Sequence, residues 1–180
     1  MTGKIIKYFG YGSNRDLDMM IHMVGRDNLV GVPGKLLGYE LCTQNLGQIR
    51  TEIPKNSPWQ VAPQQIIRES FGEIFDLYVA RPKIGAITYG TIWDLTPEDL
   101  ELVKEWELVD YGMQEEVNAI AQDMDGNTIA VETQALMLPP VLVENVIAGD
   151  NYPSYVVDKN KMLEVADRCR ANFLKRKNKD

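Results

Sequence analysis

The chain has 180 residues, 44% of them apolar and 25% charged, the ordinary make-up of one domain large enough to bury a core. A formal charge of −7 offers no basic field to a phosphate backbone, so no nucleic acid partner is expected. No early apolar run resembles a signal peptide, and none approaches the roughly 20 residues a membrane span needs. The expectation is a cytoplasmic single domain over 1–180 with no membrane partner.

In chain order, Ile5 to Phe9 reads as an apolar, aromatic strand. It stops at "GYGSN", and a helix pattern follows at once, with Leu17, Met20, Ile21 and Val24 at i, i+3, i+4 and i+7 before Gly25. "VGVPGKLLGYELCTQ" reads as strands with turns. Thr43 to Lys83 carries Pro54, Pro58, Pro63 and Pro82, with a short helix predicted around Gln64 to Ser70. "GAITYGTIWDL" is a β-branched, aromatic strand. Thr96, Pro97 and Asp99 then mark a helix start with an N-cap, a first-position proline and a capping box, and the helix runs to about Glu107. "EEVNAIAQDMDGNTIAVETQALML" reads as a hairpin with Asp-Gly at its turn. A last helix is predicted from about Lys159, with Met162, Val165, Ala166 and Cys169 on one face. These elements predict an α+β fold, a mixed and mostly antiparallel sheet curled into a small barrel with flanking helices.

Two features carry chemistry. Gly10 and Gly12 free the backbone to bring its amides near a ligand. A helix starting near Asn14 would aim its N-terminal N–H groups at the same place, as an oxyanion or anion site requires. On spacing alone a plain tight turn capped by Ser13 or Asn14 is the commoner outcome. The second feature is Glu107. At about 100° per residue it falls on the arc of Leu100, Leu102, Val103 and Trp106, while Glu101, Lys104 and Glu105 fall opposite. A carboxylate on an apolar stripe is either paired, or desolvated and raised in pKa as a general acid/base needs; a helix that frays before it would instead release it to solvent.

Other chemistry is sparse. His22 is the only histidine and reads as a boundary residue. Cys42 and Cys169 form no CxxC pair and read as buried thiols or, alternatively, one disulfide. No metal-ligand spacing stands out, and "FGYGSN" lacks the Lys-Ser/Thr of a P-loop and the third glycine of a dinucleotide fold. No metal and no cofactor are expected.

The motif "YFGYGSN" (Tyr8 to Asn14) closely resembles the strand-loop signature of the gamma-glutamylcyclotransferase-like family, usually Y-F-A-Y-G-S-N. "GKLLGYEL", "TYGTIWDL", "VKEWELVDYGMQEEV" and "PSY" follow in that family's order, so the likeness spans most of the chain. The resemblance implies that Glu107 is the catalytic residue and that Tyr8, Phe9, Gly10, Tyr11, Gly12, Ser13, Asn14 and Tyr155 bind substrate. It implies release of 5-oxoproline from a γ-glutamyl amine or peptide, the substrate's own α-amine attacking its γ-carbonyl, without metal or cofactor. The alternatives are removal of a γ-glutamyl group from a biosynthetic intermediate, or a non-catalytic binding or interaction module. The chain departs from the pattern in four places. Gly10 stands for alanine, which reads as a mild change, and Leu108 for the glycine after the glutamate. Val103-Lys104 stand for Leu-Asp, and Val157 for a tyrosine. The segment from about 43 to 83 is longer than the family's and reads as an insertion able to reshape the pocket mouth.

Overall fold

Two long strands carry the architecture of the computed structural model, which describes residues 3–137, 142–152 and 157–178. Strand β2 (Val30–Asn45) and strand β3 (Asp76–Leu95) pair antiparallel from Val30↔Asp94 to Asn45↔Asp76. The glycines and proline of β2 do not divide it into short strands with turns, as its sequence suggested. It is one continuous strand whose register shifts between Leu37 and Tyr39, where Gly38 adopts a positive φ of 81° that only glycine reaches without strain.

Strand β1 (Ile6–Gly10) lies antiparallel to β3 and parallel to β5 (Thr128–Ala135). Strand β4 (Glu115–Asp123) forms the expected hairpin with β5, and Asp123 closes its turn by accepting from the amides of Asp125 and Asn127. The order β3-β1-β5-β4-β2, closed by the β2–β3 pairing, is a five-stranded barrel, with β6 (Asn145–Ile147) added on β2. The α+β barrel read from the sequence is the observed fold. All five barrel strands feed one interior cluster: Phe9, Leu36, Leu41, Ala80, Ile92, Ala121 and Val131 are buried together.

Outside the barrel, α1 (Leu17–Val24), α3 (Pro97–Trp106) and α4 (Lys159–Lys177) pack on the outer face of β1 and β3. Ile6, Tyr8, Met19, Met20, Met23, Leu100, Val103, Met162 and Ala166 share this second core. Helix α1 buries Met19 and Met23 and leaves Leu17 48% exposed, so the buried face is rotated from the one predicted. Helix α3 begins as expected: Thr96 accepts from the Asp99 amide and Asp99 accepts from the Thr96 amide. The 43–83 segment begins and ends inside barrel strands. Its middle, 46–75, joins β2 to β3 and carries α2 (Pro63–Phe71). A third cluster of Leu46, Ile49, Ile67, Phe75, Leu108, Tyr111 and Met113 packs this connection against the turn after α3. Cys42 is buried, Cys169 partly so, and both are free thiols.

Candidate active site

The end of α3 delivers Glu107 to the turn after β1. Glu107 is the C-cap of the helix, its amide donating to the Val103 carbonyl 2.9 Å away. The wheel expectation therefore holds for Leu100 and Val103, both buried on the same side. Glu105 corrects it. Expected on the solvent side, it is only 6% exposed, because α4 covers that side and supplies Arg176, whose guanidinium grips the carboxylate at 2.6 and 3.0 Å.

The Glu107 carboxylate is partly buried at the cavity edge and held by two neutral amides. Asn14 Nδ2 donates to Oε1 at 2.7 Å, and Gln114 Nε2 donates to Oε2. Among the described residues no ion pair reaches it. Burial pushes its pKa up from 4.5 to about 7, against the lowering pull of the Asn14 and Gln114 hydrogen bonds. Desolvation wins because two neutral donors return less than water gave the charge.

Each amide is held in turn. Asn14 Nδ2 also donates to the Tyr8 hydroxyl at 2.8 Å, and Tyr8 donates to Gln134 Oε1 at 2.8 Å. The Asn14 carbonyl accepts from Trp93 Nε1 at 2.8 Å. The Tyr11 hydroxyl lies 2.7 Å from Gln114 Oε1 and 2.9 Å from the Gln134 carbonyl, and accepts from the Ala80 amide at 3.2 Å. A proton donated by Tyr11 to Gln114 Oε1 fixes that amide so its nitrogen faces Glu107. Burial first, and the Glu107 charge second, keep the pKa of Tyr8 and of Tyr11 well above 10, so both phenols stay protonated donors.

The turn itself differs from the one expected. A 3-10 turn over Gly12–Arg15 separates β1 from α1, and α1 is capped by Asp16, which accepts from the Met19 amide at 3.1 Å. The α1 N-terminus is therefore at Asp16, two residues beyond Asn14. The turn commits other groups too: the Asn14 amide donates to the Tyr11 carbonyl, and the Gly12 amide faces the Tyr152 hydroxyl. Gly12 holds φ at 59°, with Tyr78 Cβ 2.9 Å from where a Cβ would stand. At Gly10 a Cβ would meet the Asn14 carbonyl oxygen at 2.2 Å. The exchange of alanine for glycine there is thus not mild: this turn closes too tightly for a methyl group.

A cavity of about 180 Å³ opens beside this network. Of the residues singled out by sequence, Tyr11, Gly12, Ser13 and Glu107 line it. Tyr8 and Asn14 stand behind Glu107 as supports. Gly10 is buried beneath the turn, and Phe9 points into the barrel interior, away from the cavity. Tyr155, with Pro153 and Ser154, lies outside the described residues. Gln114 was not singled out from the sequence: a glutamine opening a strand looks like any polar edge residue until the fold buries it beside a carboxylate. Among the described residues, no three or more His, Cys, Asp or Glu come together as a metal site. No described helix is long and apolar enough to cross a membrane.

Leu108 departs most sharply from local rules. It adopts φ 53° and ψ 38°, a left-handed conformation that costs a non-glycine residue roughly 1–2 kcal/mol. This gives a physical reason for a glycine at that position in the resembled motif. In this chain the leucine side chain is 5% exposed and packs with Ile67, Phe75 and Met113, which offsets the strain by about 2 kcal/mol of apolar burial.

No family model matches the chain, and no curated protein sequence is similar to it. Solved structures are similar in shape. One titled "Gamma-glutamyl cyclotransferase" is 16% identical with a TM-score of 0.54, covering 98% of this chain and 86% of its own. An uncharacterized protein from Homo sapiens is 17% identical with a TM-score of 0.53, covering 93% of this chain and 87% of its own. A solution structure from Arabidopsis thaliana is 15% identical with a TM-score of 0.50, covering 96% of this chain and 91% of its own. The barrel, its flanking helices and these likenesses establish that the chain has the fold of gamma-glutamyl cyclotransferase.

Proposed function

We propose that the protein is a cyclotransferase that releases 5-oxoproline from a γ-glutamyl amide. The observation that carries this reading is Glu107: a partly buried carboxylate with a pKa of about 7, held by two neutral amides at a cavity edge formed by Tyr11, Gly12 and Ser13.

The chemistry asks little of the protein because the substrate carries its own nucleophile. The α-ammonium gives a proton to Glu107, and the freed amine nitrogen attacks the γ-carbonyl carbon to close a five-membered ring. The C–N bond to the leaving amine then breaks as the proton held by Glu107 passes to that nitrogen; the ring nitrogen gives up its second proton by the same carboxylate, and the amine departs as an ammonium. The products are 5-oxoproline and a free amine, with no water consumed. A base with a pKa near 7 suits both transfers, being ionised often enough to accept and acidic enough to return the proton. The Tyr11–Ser13 backbone is assigned to the γ-glutamyl group and its developing oxyanion. Binding there displaces the Tyr152 hydroxyl from the Gly12 amide.

The test is mass-spectrometric detection of 5-oxoproline after incubation with γ-glutamyl amines, amino acids and dipeptides, with Glu107→Gln in parallel. Release by the wild type and a loss of at least about a thousandfold in Glu107→Gln are expected for a residue handling both proton transfers. Equal release by both proteins would overturn the assignment.

A further inference from the structure

The cavity beside Glu107 is far more apolar than a γ-glutamyl group requires. From the carboxylate it runs between Trp106, Ile66, Ile67, Phe71, Met162 and Val165. Phe71 stacks on Phe75 at 4.4 Å between centroids and meets Trp106 edge-on at 6.4 Å, so this wall is aromatic and fixed. The charged groups lining it are either already neutralised or at the surface. Glu105 is held by Arg176 and accepts from the Tyr111 hydroxyl at 3.0 Å, whereas Asp76 and Arg168 are exposed. Half of this wall comes from α2, in the connection between β2 and β3. That connection is anchored on Leu108 beside the carboxylate.

We infer that the leaving group is an apolar amine, aromatic or aliphatic, lodged against α2 and Trp106. This rests on the cyclotransferase reading, since Glu107 and the Tyr11–Ser13 turn must hold the γ-glutamyl end. Continuity with that end fixes the occupant: once the γ-carbonyl lies at Glu107, the amine substituent has the apolar cavity to enter. A substituent ending in ammonium or carboxylate would leave water for the inner wall of Ile66, Ile67, Phe71, Met162 and Val165, which carries no charge to pair with it, Asp76 and Arg168 standing at the exposed rim. An alkyl or benzyl group buries surface against that wall and gains roughly three- to fourfold in affinity per buried methylene, with ring contacts adding to this.

The experiment uses three probes: γ-glutamyl-hexylamide, γ-glutamyl-benzylamide and γ-glutamyl-(5-aminopentyl)amide. The hexyl and aminopentyl compounds are isosteric and differ by a terminal methyl against an ammonium. Binding to Glu107→Gln is read by calorimetry and 5-oxoproline release by the wild type in parallel. The hexyl and benzyl compounds should bind at least tenfold more tightly than the aminopentyl one. Ile66→Asp should narrow that gap at least tenfold, and the milder Ile66→Ala should weaken hexyl binding while leaving aminopentyl binding unchanged. Equal binding of the isosteric pair with 5-oxoproline released would overturn the apolar assignment and leave the reaction standing. Apolar preference without any release would uphold the pocket assignment and overturn the reaction. Failure of all three probes to bind would overturn both.

Discussion

At the residue scale, burying Glu107 links its protonation to stability as well as to rate. Its folded pKa lies above the 4.5 of an unperturbed glutamate, so the neutral form favours the native state. The contribution is complete below pH 4.5 and is lost as pH rises to about 7, up to about 3 kcal/mol in all. Glu107→Gln lacks this term. Its melting temperature relative to wild type should therefore rise between pH 5 and pH 8, which parallel melts would show; an unchanged difference would place the carboxylate in water. On the rate side, kcat/KM should climb with pH along an acidic limb near 7. Gln114→Leu removes a hydrogen bond that favours the charged form, so that limb should move up by about one pH unit. A limb left in place would deny Gln114 its hold on the base. Leu108 makes a separate test. Glycine there relieves the strain but loses the buried side chain, whereas alanine loses the side chain and keeps the strain. Leu108→Ala should thus be less stable than Leu108→Gly by about 1 kcal/mol, the reverse of the usual order inside a helix.

At the scale of elements, α3 and α4 share an apolar core and are joined as well by one largely buried ion pair. Glu105 and Arg176 side chains are 5% and 19% exposed, and Tyr111 donates to the same carboxylate. Removing one partner leaves a buried charge, so Arg176→Met should cost about 3 kcal/mol, while a double change with Glu105→Leu should recover much of it. Denaturant melts of the two variants decide this; equal losses in both would mean the pair acts only by packing. The same pair shows where sequence reading stops. The wheel placed Glu107 correctly because Leu100 and Val103 bury its side of α3. It misplaced Glu105 because no pattern within α3 reveals that α4 will cover the far side with an arginine 71 residues away. Helix α3 was legible in its caps, which are local, and the β4–β5 hairpin in its Asp-Gly turn. The length of β2 was hidden because Pro33 and Gly38 look like turn residues, and only pairing with β3 keeps the strand continuous through them.

For the whole molecule, the barrel explains why the first motif was readable and the pocket was not. "YFGYGSN" packs a strand, a tight turn and a carboxylate support into seven residues, so its chemistry lies close together in sequence. The cavity wall is assembled from α2, α3 and α4, and nothing in the 46–75 connection marks Ile66 or Phe71 as lining a site until the β2–β3 pairing brings its ends together. That connection also ties the site to the scaffold. Leu108 lies between Glu107 and the cluster of Leu46, Ile67 and Phe75, so loosening α2 should disturb the carboxylate as well as the wall. The most direct measurement of the central claim is the titration of Glu107 itself, followed by carbon-13 NMR of side-chain-labelled glutamate, with Glu107→Gln assigning the resonance. A carboxyl titrating near pH 7, matching the acidic limb of 5-oxoproline release, is the predicted result. A Glu107 that titrates near 4.5, or a rate profile that ignores its pKa, would contradict the account.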